Sequence, residues 1–184
     1  MTIESPAWST VSSRVVFHSP WLELRRDRTV LPDGSPGEYD HVVVPGSVCV
    51  LAIDGDGRVP VTRQWIYPHG GSQWRLPTGR VDPGDASPTT AALRELREET
   101  GLVAAELSPL GTVHCADSFT NHREHAFLAR GLTATAQSLE PGEADLLVRW
   151  FPAADVLAMA VDGLLPHAGS AFAVLAAHAR GILG

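Results

Sequence analysis

The chain has 184 residues, 44% hydrophobic and 19% charged, which suits one soluble domain with a real core and a small subdomain and excludes a disordered segment. The formal net charge of −7 argues against a nucleic-acid partner, because no broad basic footprint for a phosphate backbone is available. An acidic protein that handles small phosphates needs a cation to do so.

Cys49 and Cys115 are far apart, form no zinc pattern and read as two buried thiols. The N-terminus has neither the basic nor the apolar stretch of a signal peptide. The longest apolar run, His41 to Ile53, is interrupted by Pro45 and Gly46 and is too short to span a bilayer. The expectation is a cytoplasmic protein with no membrane contact.

Residues 1–12 read as a loose arm. "RVVFHS", "WLELRRDRTVL" and "EYDHVVV" read as three strands of a small antiparallel subdomain over 13–44, with a concentrated turn signal from Pro32 to Gly37. The main domain is expected over 45–184. It opens with the buried-type strand "SVCVLAI", a hairpin turn at Asp54 to Gly57 and the return strand "RVPVTRQW", followed by "YPHGGSQW" as a loop. Ser87 as N-cap, Pro88 at the first helical position and Gly101 as the stop predict a helix over 88–100. Two strands follow, then the polar loop "TATAQSLEPGEAD", a short strand "LLVRWF", a helix from Pro152 and an Ala-rich C-terminal helix. Strands and helices mix without a regular alternation, which makes the class α+β or an α/β/α sandwich.

The predicted helix poses a charge problem. At about 100° per residue, Glu95, Glu98 and Glu99 share a narrow arc, while Ala92, Leu93 and Leu96 form an apolar side. Like charges three and four residues apart cost roughly 0.2–0.5 kcal/mol each on an isolated helix. Their place near the C-terminus sets them against the helix dipole. A solvated acidic face is the ordinary explanation, but a divalent cation would offset both penalties, and hard cations such as Mg²⁺ favour carboxylate oxygens. The preceding loop, "LPTGRVDPGD", has the glycines and prolines to fold back over the helix, and Gly79 lets its backbone come close to an ion.

These residues resemble a Nudix box: Gly79, then Asp85, then "RELREETGL" from Arg94 to Leu102. The second half matches every fixed position. In the first half Asp85 replaces the usual glutamate, and eight residues rather than seven separate it from Arg94. "YDHVVVPGSVCVLAIDGDGRVPVTRQWIYP" and "LGTVH" extend the likeness to the ADP-ribose pyrophosphatase branch. The resemblance implies an α/β/α Nudix sandwich with an N-terminal β subdomain, a homodimer, and Mg²⁺- or Mn²⁺-dependent hydrolysis of nucleoside diphosphate derivatives. It implies Glu95 and Glu99 as metal ligands, with Glu98 as a further ligand or a group that orients water, and the Gly79 carbonyl as another ligand. Arg94 would hold the glutamates in place.

For the general base, Glu124, Glu140, Glu143 and His122 are candidates, and Glu143 is the choice. Arg63 and Arg80 are the candidates for contact with substrate phosphates. Ile66 and Thr78 stand where relatives carry arginine and alanine, and Trp21, Trp65 and Trp74 are aromatic enough to stack a base. The competing readings are a nucleoside triphosphate sanitising enzyme and a non-catalytic nucleotide sensor.

Overall fold

The computed structural model describes residues 7–183. The chain divides into two units. The first joins residues up to Pro45 with His114–His122. Three strands, β1 (Ser9–His18), β2 (Glu23–Val30) and β3 (Pro36–Val43), form an antiparallel sheet in that order. The Arg26 guanidinium grips Asp40 across the β2–β3 pair through two hydrogen bonds of 2.6 Å. β1 starts inside the segment expected to be a loose arm. Ser9 pairs with Val30 and Thr10 with Thr29, and the Trp8 ring meets Tyr39 edge-on at 5.7 Å, so the ladder has partners before residue 13. Residues 1–6 of that expected arm lie outside the described residues. The segment 114–122, expected in the main domain, bonds to β3: the Val42 amide donates to the Phe119 carbonyl at 2.8 Å and Val42 bridges Thr120.

The second unit covers Gly46–Val113 and Arg123–Gly184. Its strands are β4 (Ser47–Ala52), β5 (Arg58–Ile66), β6 (Gly71–Arg75), β7 (Thr78–Arg80), β8 (Leu102–His114), β9 (Arg123–Ala134) and β10 (Leu147–Pro152). Its helices are α1 (Pro88–Thr100), α2 (Ala153–Val161) and α3 (Ala168–Ala179). One sheet runs β7-β4-β9-β8, with β4 and β9 parallel and β4 and β7 antiparallel; the other runs β10-β5-β6. β6 lies in a segment expected as loop. Gly70 and Gly71 signal a break, but Gly71 to Arg75 then pairs antiparallel with β5, a tertiary partnership that local composition does not reveal.

Side-chain alternation on β4 creates the layers. Val48, Val50 and Ala52 pack with Ala91, Ala92 and Leu96 of α1, while Cys49 and Leu51 pack with Val156 of α2 and Ala173, Val174 and Ala177 of α3. Helices therefore cover both faces of the sheet. Cys49 is buried as expected, whereas Cys115 is only partly so, because it follows β8 in a turn. No helix among the described residues is long and apolar enough to cross a membrane.

α1 begins and ends where its local chemistry dictates. The Ser87 hydroxyl accepts from the Thr90 amide at 3.2 Å, Pro88 follows, and Gly101 stops the helix at φ +67° with its amide donating to the Arg97 carbonyl. A side chain at Gly101 would also meet the Thr135 carbonyl at 2.7 Å.

Candidate active site on helix α1

The acidic arc of α1 faces inward. Glu95 is 7% exposed and Glu99 1%. Burial pushes the Glu95 carboxyl up to about 7, against the opposing pull of Arg94, and raises Glu99 well above its ordinary value. Glu99 makes no ion pair among the described residues; its Oε2 accepts from the Thr78 amide at 3.0 Å. Glu98 is different. It is more exposed, and its two oxygens face Arg94 at 3.0 Å and Arg97 at 3.4 Å.

Arg94 ties the loop to the helix. Its guanidinium donates to the Arg80 carbonyl at 2.9 Å, to both oxygens of Asp85, to Glu95 at 2.8 Å and to Glu98 at 3.0 Å. That grip holds Asp85 below the usual carboxylate range. Asp85 also accepts from the Asp82 amide, and its own amide donates back to the Asp82 carbonyl, closing a turn. Gly79 comes close to the acids themselves: a Cβ there would sit 2.1 Å from the Glu95 carboxyl.

Glu143 arrives from far along the chain. The last turn of a helix leaves carbonyls without partners, and here a loop supplies them. The Thr135 amide donates to Gly101, the Gln137 side chain to the Glu99 carbonyl, and the Ser138 amide to the Glu98 carbonyl. The loop continues into a short turn at Pro141–Glu143, where the Glu140 amide donates to Glu143 Oε2 at 3.0 Å. Asp145 then accepts from the Trp65 amide at 2.7 Å. The result brings Glu95, Glu99 and Glu143 together, with one ligand atom from each within 4.8 Å of the others. Three acids at that spacing, two of them buried, with one arginine on Glu95 and none on Glu99, form a donor set suited to a hard divalent cation.

Residues 44–169 match the NUDIX domain family, and residues 8–42 match the nucleoside diphosphate sugar hydrolase N-terminal domain. The chain belongs to the Nudix hydrolases. It is 31% identical over 173 residues to the ADP-ribose pyrophosphatase of Mycobacterium tuberculosis, covering 94% of this chain and 84% of that one. It is 29% identical to the ADP-ribose pyrophosphatase of Bacillus subtilis over 73% of this chain and 72% of the relative. A solved structure described as an ADP compounds hydrolase superposes with a TM-score of 0.80 at 22% identity, over 95% of this chain and 96% of that one. The fold is thus the α/β/α Nudix sandwich with a small N-terminal antiparallel sheet.

The other candidates fall elsewhere in this Nudix hydrolase. Arg63 lies over the ring of Trp74, its partner across the β5–β6 pair, at 5.8 Å. Arg80 bonds Asp82 at 2.7 Å within the loop. Glu140 completes the turn that holds Glu143. His122 belongs to the first unit, and burial lowers its pKa. Trp74 packs edge-on against Phe151, whereas Trp21 and Trp65 are exposed. Glu124 is fully buried and lies beside His167, Cys49 and Thr78 rather than with the acids of α1. Nothing in the sequence reading flagged His167 or Ser170. A signal for Glu124 was present: stepping by two along β9, it shares a face with Ala126 and Leu128, both core residues.

Proposed function

We propose that this hydrolase is a divalent-metal-dependent pyrophosphatase. It splits the diphosphate of ADP-ribose or a related nucleoside diphosphate sugar into a nucleoside monophosphate and a sugar phosphate. The convergence of Glu95, Glu99 and Glu143 carries this reading. The relatives named ADP-ribose pyrophosphatase support the substrate class. Another relative, from Streptomyces rubellomurinus, is named for hydrolysis of a CMP-linked phosphonate, which keeps nucleotide-linked substrates beyond ADP-ribose in view.

Mg²⁺ or Mn²⁺, held by Glu95 and Glu99, would supply charge neutralisation at the diphosphate and a more acidic water. The chain's own residues do the rest. Glu95 and Glu99 project from one rigid helix, one turn apart, so their spacing is fixed before substrate arrives. Arg94 holds Glu95 and Glu98 and clamps the loop that carries Gly79. Glu98, paired with two arginines, positions Arg94 in this scheme. Glu143 comes from a separate loop and takes the proton of the attacking water. Arg63 and Arg80 approach the substrate phosphates. The apolar Val15, Val16 and Phe17 exposed on β1 favour a homodimer through the first unit.

The test is a hydrolysis panel with Mg²⁺: ADP-ribose, other nucleoside diphosphate sugars, dinucleotides and nucleoside triphosphates, with products resolved by chromatography. AMP and ribose 5-phosphate from ADP-ribose, lost in EDTA and in Glu99→Gln, are expected. Faster turnover of triphosphates than of any diphosphate would overturn the substrate class.

A further inference from the structure

Glu124 raises a question that the proposed reaction does not answer. A fully buried carboxylate is costly, and an apolar side chain of similar volume is often as stable or more so. Such a group is better explained by what it holds in place than by stability.

Its contacts point to one segment. Glu124 Oε1 lies 3.1 Å from the Thr78 hydroxyl and 3.3 Å from His167 Nε2. The Thr78 hydroxyl shares its hydrogen between Glu124 and the Val48 carbonyl, which is 2.7 Å away. His167 Nδ1 is 3.0 Å from the Ser170 hydroxyl, and that hydroxyl accepts from the Leu76 amide at 2.9 Å. The Val50 amide donates to the Pro77 carbonyl. Leu76, Pro77 and Thr78 are therefore each fixed from the α3 side or by β4. The same three residues lead into Gly79, whose Cα abuts Glu95, and the Thr78 amide bonds Glu99. Glu124 has no freedom to move away. A Cβ on Gly169 would lie 2.0 Å from its Oε2, so the first turn of α3 closes over the carboxylate.

We propose that Glu124, braced by His167, is a positioning residue: through the Thr78 hydroxyl it sets the Thr78 amide against Glu99 and Gly79 against Glu95, and so sets the affinity of the acids on α1 for their cation. The proposal rests on the metal reading above. Thr78 is central to it, because an alanine at this position would offer Glu124 no hydroxyl.

Mn²⁺ binding, followed by the electron paramagnetic resonance of the free ion, tests this on the full chain together with thermal unfolding. Thr78→Val keeps the shape and removes the hydroxyl, Thr78→Ser keeps the hydroxyl, Glu124→Met removes the carboxylate at similar volume, and Glu99→Gln is the control. Partners one step removed from metal ligands typically alter affinity by about 10–100-fold. The expected result is Mn²⁺ binding weakened about tenfold in Thr78→Val and Glu124→Met, within about twofold of wild type in Thr78→Ser, and lost in Glu99→Gln. The double variant Thr78→Val/Glu124→Met is expected to be no weaker than the weaker single one, because both act through one bond. Wild-type Mn²⁺ affinity in folded Thr78→Val overturns the positioning role while leaving the metal site standing. Wild-type protein that binds no Mn²⁺, or Glu99→Gln that binds it normally, overturns the metal reading and this proposal with it.

Discussion

Two buried acidic clusters lie in the second unit of this protein, and they are built on opposite principles. Glu95, Glu99 and Glu143 gather three carboxylates around one arginine contact. Glu124 stands alone as an acid and is surrounded by an imidazole, a hydroxyl and the first turn of α3. Each is closed by a glycine whose Cβ would collide with a carboxyl group, Gly79 against Glu95 and Gly169 against Glu124. The first cluster gathers more carboxyl groups than the cations paired with them, as the proposed cation site requires. The second is satisfied from within, as expected of a brace. Burial alone does not distinguish chemistry from architecture; the balance of partners does.

The comparison breaks most sharply at Glu99. Glu99→Gln removes a buried acid that makes no ion pair among the described residues, and kcat in Mg²⁺ is expected to fall by at least about 10²-fold, the scale of losing one group that stabilises transition-state charge. Unfolding of the metal-free variant should occur at or above the wild-type temperature, since the like-charge conflict is relieved. A kcat within a few fold of wild type would remove the first cluster from the chemistry.

The pH dependence of metal-free stability separates the clusters next. Glu95 ionises near 7 in the folded chain and near its ordinary value of 4.5 when unfolded. Between those values the folded state holds the additional proton, so stability falls as pH rises through the window, by up to about 3 kcal/mol from this group. Glu99 is displaced in the same direction. Calorimetric scans in EDTA should show the decline, and Glu95→Gln should flatten it. Saturating Mg²⁺ should reverse the slope, because binding requires the ionised acids.

The two glycines give a matched pair. Alanine at either site overpacks a buried carboxyl, at a cost of about 1–3 kcal/mol. Gly79→Ala is expected to lose activity out of proportion to its change in melting temperature, and Gly169→Ala to lose melting temperature first. Equal ratios of the two effects would erase the distinction. The smallest effect belongs to Ser87→Ala, which removes only the cap of α1. About 1 kcal/mol of stability should go, with kcat nearly unchanged under conditions where the protein stays folded.

How much of this was legible in the sequence depended on range. α1 has the predicted bounds because serine, proline and glycine act within a turn of their own positions. The acidic arc was visible for the same reason. The role of Asp85 was not, since its bonds to Arg94 exist only once the loop has folded back. The convergence of Glu143 depends on a loop pairing with the open carbonyls of a distant helix. β6 was read as loop because its glycines are local and its partner is not. Glu124 was a candidate for the general base, although the alternation of β9 already placed it on the core side.

The segment 114–122 carries a last consequence. It bonds to Tyr39 and Val42 of β3 and to Val44 just after it, although about seventy residues of the NUDIX-family match separate them in sequence. The first unit is therefore a discontinuous module. A cut near residue 45 looks like a clean domain boundary in the linear chain, but it would tear one edge of that unit and leave Phe119 and Asn121 facing partners that are gone. Shuffling or truncation that treats the opening segment as a portable cassette would have to carry this second, short piece with it.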